Sequence, residues 1–219
     1  MEHTITVRGE GRVKKSPDLA VLEIVAVAES ESYKEAAALA AKQKDALCEA
    51  FLALDFKRTD IKTTSYSSNV RYEYETDEKG LQKRVFAGYV CTHSASLSFE
   101  TSPNMIASVL SAAGKSDVNA QLNLRFTVRD KTALDRELIA HACKNAREKA
   151  EIIAASMGVE LGKPAKVCYN FADERPYSRT AFAKDNSVRS ARAQSEAMNI
   201  TPDDIEIIDE VLCVFLIAD

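Results

Sequence analysis

No stretch of this chain stays apolar for the roughly 20 residues that a bilayer-spanning helix needs, so no transmembrane segment is expected. Nor is there a basic excess: 29 Lys and Arg stand against 33 Asp and Glu, a net charge of −4. That balance speaks against bulk nucleic-acid binding, which rests on a basic face. Histidines are few (His3, His93 and His141), and no Gly-x-Ser-x-Gly, phosphate loop or His-Glu-x-x-His occurs. No catalytic residue and no cofactor is therefore nominated. The five cysteines, Cys48, Cys91, Cys143, Cys168 and Cys213, stand at least 25 residues apart and form no Cys-x-x-Cys pair. They read as buried free thiols of a reducing compartment. Met1 to Glu10 has strand alternation and no apolar signal core. The expectation is a cytoplasmic protein; a trimmed exported protein, periplasmic or extracytoplasmic, would begin in the same way.

What is present is regular patterning in 219 residues, enough to bury one large core or two small ones. The chain is organised around a long helix predicted over Lys131 to about Met157. Leu134, Leu138, Ala142, Ala146, Ala150, Ile153 and Met157 fall on one stripe of it. Asp130 caps its start and Gly158 closes its end. An alternating strand, Val118 to Val128, precedes it, and a second apolar stretch, Ala165 to Phe171, follows. The helix is expected to lie between two strands of one sheet.

Elsewhere, Thr4 to Val13 alternates, and its Gly9-x-Gly11 sits inside the strand, where glycines mark a bulge or the close approach of another backbone. Leu19 to Ala28 is apolar on both faces apart from Glu23, as is Val211 to Ile217 at the end of the last strand, Ile205 to Ile217. Ser32-x-x-Glu35 reads as a capping box opening a helix to about Leu54. Ile61 to Glu75 and Val85 to Phe99 read as an antiparallel pair around a polar tip. Ser102-Pro103 starts a short helix to Ala113. Ala172 to Pro202 shows no sustained period and reads as a long loop.

This order predicts an α+β fold of two two-layer units, each a mainly antiparallel sheet with helices on one face. Residues 1–101 make the first unit and 102–219 the second, with the long loop at about 172–202.

Three groups of residues are candidates for function. Tyr72, Tyr74, Tyr89 and His93 could line a pocket between the units or form a subunit interface. Cys91 and His93 share a strand face, but two metal ligands without two more make no site. The loop core, 175–192, carries Arg175, Arg179, Lys184, Arg189 and Arg192 against Asp185 alone. It could order on an acidic partner, on anionic lipid or on a neighbouring subunit.

Taken together, Ile5-x-Val7-x-Gly9-x-Gly11 with Pro17-Asp18, Ile61 to Tyr66 with Tyr72, Tyr74 and Gly88-Tyr89, and the helix Ala142, Ala146, Lys149-Ala150, Ala154 with Gly158 and Leu161-Gly162 resemble the SIMPL-domain family. That family includes the bacterial periplasmic immunogenic proteins. The resemblance covers nearly the whole chain, including the final apolar strand. It implies an α+β protein that assembles into symmetric homo-oligomers, has no established catalytic residues, and serves a loosely defined envelope or stress role. The chain departs from the family at Asp203-Asp204, where relatives often have a glycine, and the export signal usual among relatives is not expected from its opening strand. The first functional expectation is thus a non-enzymatic, self-assembling protein. The alternatives are a small-ligand protein or enzyme with a site between the units, and a partner-binding module using the basic loop.

Overall fold

Gly9 and Gly11 explain how the smaller unit is put together. The computed structural model describes residues 3–76, 82–116, 118, 120–169, 176–184 and 200–218. In it, strand β1 (Thr4–Lys15) pairs antiparallel with the last strand, β8 (Ile205–Ala218), in unbroken register from Thr4↔Leu216 to Lys15↔Ile205. Strand β6 (Glu160–Tyr169) pairs with the other side of β8, giving a sheet of order β1-β8-β6. Helix α3 (Lys131–Met157) lies on one face of this sheet. A Cβ on Gly11 would stand 2.1 Å from the Leu138 carbonyl oxygen, and one on Gly9 2.1 Å from that of Ala142. The glycines therefore admit the helix backbone itself: of the bulge and the close approach that their place in a strand allowed, the close approach is the one found.

The buried stripe of α3 is Leu134, Leu138, Ala142, Ala146, Ala150 and Ala154, every fourth residue. At about 3.6 residues per turn, each such step advances about 40° beyond a full turn. The stripe thus winds round the helix along a row of i, i+4 neighbours, the ridge that packs into grooves. The winding turns Ile153 and Met157 outward. They are 40 % and 73 % exposed, against the expectation that they point inward, and Ala154 takes the contact. The ends of α3 are as expected: Asp130 Oδ1 accepts from the Ala133 N–H at 2.8 Å, and Gly158 is left-handed at φ 70°.

A second row on α3 closes the outer edge of β1. The Glu10 N–H donates to Asn145 Oδ1 at 3.0 Å, and Lys149 Nζ donates to the Arg8 carbonyl at 3.0 Å. His141 Nδ1 lies 3.2 Å from the Arg12 carbonyl, so the proton is on that nitrogen. Helix positions 141, 145 and 149 thus satisfy the strand edge at alternate residues, and β1 is not open to another chain there.

The larger unit covers residues 18–126 and 180–202. It holds β2 (Leu19–Ser30), α1 (Tyr33–Leu52), β3 (Ile61–Thr76), β4 (Gln82–Glu100), α2 (Pro103–Lys115), β5 (Ala120–Thr127) and most of β7 (Tyr177–Lys184). The sheet order is β3-β4-β2-β5-β7. From β2 to β5, both element order and strand order are those of the ferredoxin-like β-α-β-β-α-β unit, with β7 added beside β5. Its main core cluster includes Leu22, Ile24, Phe51, Leu97, Ile106, Val109, Leu124 and Phe126, and a smaller one joins Ala28, Ala36, Ala40 and Cys91.

The α+β class and the two antiparallel sheets with helices hold, but the strands are distributed differently from the sequence reading. The smaller unit draws on residues 1–17, 127–179 and 203–219, so the two units interleave and Thr101 falls inside the larger one. Strands β5 and β6, which flank α3, belong to different sheets. Residues 177–184 of the expected loop form β7, held by its sheet neighbour and not by its own weak alternation. Strand β6 begins at Glu160, directly after α3. One face of β2 is buried and the other only half-buried, and Leu212 on β8 is exposed, so neither strand is covered on both sides within its unit. Ser32 does not cap α1 with its side chain; Glu35 instead accepts from the Ser30 hydroxyl at 2.7 Å, and the Ser32 N–H donates to the same oxygen. Ser102 does cap α2, accepting from the Met105 N–H at 3.3 Å. The polar tip at 77–81 lies outside the described residues.

Candidate interaction surface

Alternation sets Tyr66, Ser68, Val70, Tyr72 and Tyr74 on one face of β3. Directly opposite on β4 stand His93, Cys91, Tyr89, Phe86 and Arg84. The match between the strands slips between Arg71 and Tyr72, which face Gly88 and Phe86. Gly88 sits at φ 119°, where an L side chain is strained, and a Cβ there would meet the Ser30 carbonyl at 2.5 Å. This bulge turns β4 by one residue. Phe86, not Ala87 as simple alternation predicts, joins the tyrosine face. The glycine within the strand was the one signal for it.

The result is a row of edge-to-face rings. Tyr72 and Phe86 have centroids 6.3 Å apart, Phe86 and Tyr89 5.5 Å, and Tyr89 and Tyr33 on α1 5.8 Å. The Arg84 guanidinium lies 3.7 Å above the Tyr72 ring. Such contacts fix ring positions beyond simple burial. Yet the row is open to solvent: Tyr74 is 68 % exposed, and Tyr33, Tyr66, Val70, Tyr72 and Phe86 are all between 43 % and 52 %. Six large exposed side chains on one hairpin and the adjoining helix start form a contiguous apolar patch, the kind of surface that marks an interaction site.

His93 is set apart from this row. It is buried, with Nε2 3.0 Å from Thr63 Oγ1 and the Tyr66 ring at 6.2 Å. The void beside it, lined by Ile24, Ala26, Lys44, Leu47, Ile61 and Ala95, measures about 10 Å³. That is room for about one water and for no organic ligand. All four of Tyr72, Tyr74, Tyr89 and His93 lie in the larger unit. Burial, with the Lys44 ammonium nearby, holds His93 below its ordinary value of 6.5. A histidine kept neutral in the fold supports stability above pH 6.5 and withdraws that support as acid protonates the unfolded chain first. The urea midpoint is therefore expected to fall between pH 7.5 and pH 5, and His93→Gln to flatten that fall. An equally steep decline in His93→Gln would assign the acid sensitivity elsewhere.

Of the basic residues, Arg179 is an exposed residue of β7 and Lys184 ends that strand; Arg175, Arg189 and Arg192 lie outside the described residues. Cys48, Cys91 and Cys213 are buried free thiols, whereas Cys143 is exposed and Cys168 half-buried. On β6, the Tyr169 phenol donates to Asp209 Oδ2 at 2.5 Å, and this bond pushes its pKa up to about 12. Among the described residues, no three His, Cys, Asp or Glu stand close enough to hold a metal ion, and no helix is long and apolar enough to cross a membrane.

The family model for SIMPL, a protein of unknown function, matches residues 5–215. The 26 kDa periplasmic immunogenic protein of Brucella melitensis biotype 1 is 24 % identical over 199 residues, which are 87 % of this chain and 79 % of that protein. The protein of the same name from Brucella abortus strain S19 matches to the same extent. Relatives named as periplasmic overturn the expectation of a cytoplasmic location. The start of a chain is a poor guide to compartment, and so are unpaired cysteines, the two grounds of that expectation.

Proposed function

Because the chain belongs to the SIMPL family of proteins of unknown function, we propose that it is a non-enzymatic protein whose copies join through the exposed aromatic hairpin, in the periplasm. The observation that carries this reading is the Tyr72–Phe86–Tyr89–Tyr33 row, whose rings meet edge to face while Tyr33, Tyr72 and Phe86 stay exposed. Exposed rings held in place lose little conformational freedom on association, so covering them is favourable. Symmetric self-association is the commonest way to cover such a patch. The periplasmic location follows the names of the Brucella relatives. An envelope or stress-related role fits that location. An acidic partner at the basic segment remains a separate property that this reading does not require.

Tyr74 and Phe86 are both exposed, so replacing them together by serine is expected to leave the unfolding temperature nearly unchanged. The same double change should move the light-scattering mass of gel-filtered protein toward the 24.1 kDa of one chain. An assembled mass unaffected by the double substitution would reject the hairpin as the joining surface.

A further inference from the structure

Four strands end the two sheets, and their outer edges are not alike. The edge of β1 is closed by His141, Asn145 and Lys149. The edge strand β6 carries two register breaks around Pro164, with Lys163 and Lys166 beside it. Strand β7 has only eight residues. Prolines, lysines, breaks and shortness are the usual means of keeping an edge from pairing. Strand β3 has none of them along Ser65 to Thr76, where it runs without a bulge of its own: the shift at Arg71/Tyr72 places the extra residue on β4. It is 16 residues long and exposed at nearly every position. The regular Ser65 to Thr76 stretch of this edge, lying beside an aromatic patch and charged only at Arg71, Glu73 and Glu75, is a template for a strand that can match those charges.

Resting on the self-assembly reading above, we propose that this edge pairs antiparallel with β3 of a second copy, about a two-fold axis at Tyr72. The register follows from charge. Arg71 and Glu73 lie on the same face of β3, 3.0 Å apart at their charged ends. Centred on Tyr72, a two-fold pairing sets Arg71 opposite Glu73 of the second copy, twice, and Val70 opposite its Tyr74. Centring one residue earlier sets Arg71 on Arg71; one residue later sets Arg71 opposite Glu75 but Glu73 on Glu73, so only the register centred on Tyr72 has opposite pairs and no like pair. Like charges directly opposite are destabilising and opposite charges favourable, so the sequence of this strand selects one register of the three. Registers between these would exchange the faces of the two strands and put the aromatic side of one beside the polar side of the other. The pairing extends the five-stranded sheet across the axis and brings two aromatic rows onto one continuous face.

The test uses the full chain with Cys143→Ser, which removes the exposed thiol. A residue on the axis faces its own copy, with Cα atoms about 4.5–5.5 Å apart, inside the roughly 4.4–6.8 Å that a disulfide spans. Tyr72→Cys is therefore expected to give a disulfide dimer on mild oxidation, and Tyr66→Cys, six residues off the axis, to stay unlinked. Arg71→Glu should weaken association at least about ten-fold, and adding Glu73→Arg should recover most of it, because reversing both signs preserves each cross-pair. An assembled particle in which Tyr72→Cys does not link, or links no better than Tyr66→Cys, overturns the edge pairing and leaves self-assembly standing. A parent chain that stays single at tens of micromolar removes both.

Discussion

Gly11→Ala is expected to destabilise the smaller unit by about 3 kcal/mol or more, and Gly9→Ala by a comparable amount, the upper end of what overpacking costs. The reason is the nature of the atoms that the new methyl meets. On Gly11 these are the Leu138 carbonyl oxygen at 2.1 Å and the Ala142 nitrogen at 2.9 Å; on Gly9, the Ala142 oxygen, then the Ala146 Cβ at 2.6 Å. Main-chain atoms of a 27-residue helix have no rotamer by which to yield. The helix must lift from β1, and the three hydrogen bonds that tie His141, Asn145 and Lys149 to the strand edge lengthen with it. Urea unfolding of each variant measures the loss. Gly114→Ala is the internal contrast. That glycine lies within α2 with nothing within 4 Å of its added Cβ, so the change should stabilise by roughly 0.5–1 kcal/mol. Similar small effects at all three glycines would mean that α3 does not lie as close to β1 as described.

In the larger unit, Phe51→Ala is expected to cost about 3–5 kcal/mol, the range for emptying a buried phenylalanine site. Phe51 is fully buried on the inner face of α1. Its ring meets Phe56 edge to face at 6.5 Å, and Phe56 meets Phe99 of β4 at 6.2 Å. Removing the first ring leaves the second unsupported on one side, and the surrounding Leu22, Leu97 and Ile106 are themselves fully buried and close-packed. Denaturant unfolding followed by helix signal reads the loss. A cost below about 1 kcal/mol would show that α1 is held to its sheet by something other than this cluster.

How far the sequence could be read varies with the kind of information each element carries. The ends of helix α3 were legible to the residue, because Asp130 and Gly158 are local signals that act at their own positions, whereas its buried stripe was misread at Ile153 and Met157. The glycines of β1 were legible as a close approach, though not as an approach to α3. What alternation could not tell was partnership. Strand β1 looks like the neighbour of β2 and pairs instead with β8 at the far end of the chain. Placing β1 in one unit with β2 therefore hid the ferredoxin-like order from β2 to β5. Strand β7 was missed because Tyr177 to Lys184 carries Ser178, Thr180 and Phe182 on one face, too weak an apolar signal to count as a strand by itself. Ser32 and Glu35 had the spacing of a capping box, but Ser30 competes for the same carboxylate and wins it. At the surface patch, three tyrosines were visible from spacing. Phe86 joined them only through the bulge at Gly88, a backbone event that side-chain periodicity does not record.

Joining of copies through the β3–β4 hairpin is the claim on which the functional account stands. Sedimentation equilibrium of the unmodified chain at tens of micromolar tests it most directly. The account predicts a mass of at least two 24.1 kDa chains that drops toward one when Tyr74 and Phe86 are both replaced by serine. A single 24.1 kDa species at every loading concentration would contradict it.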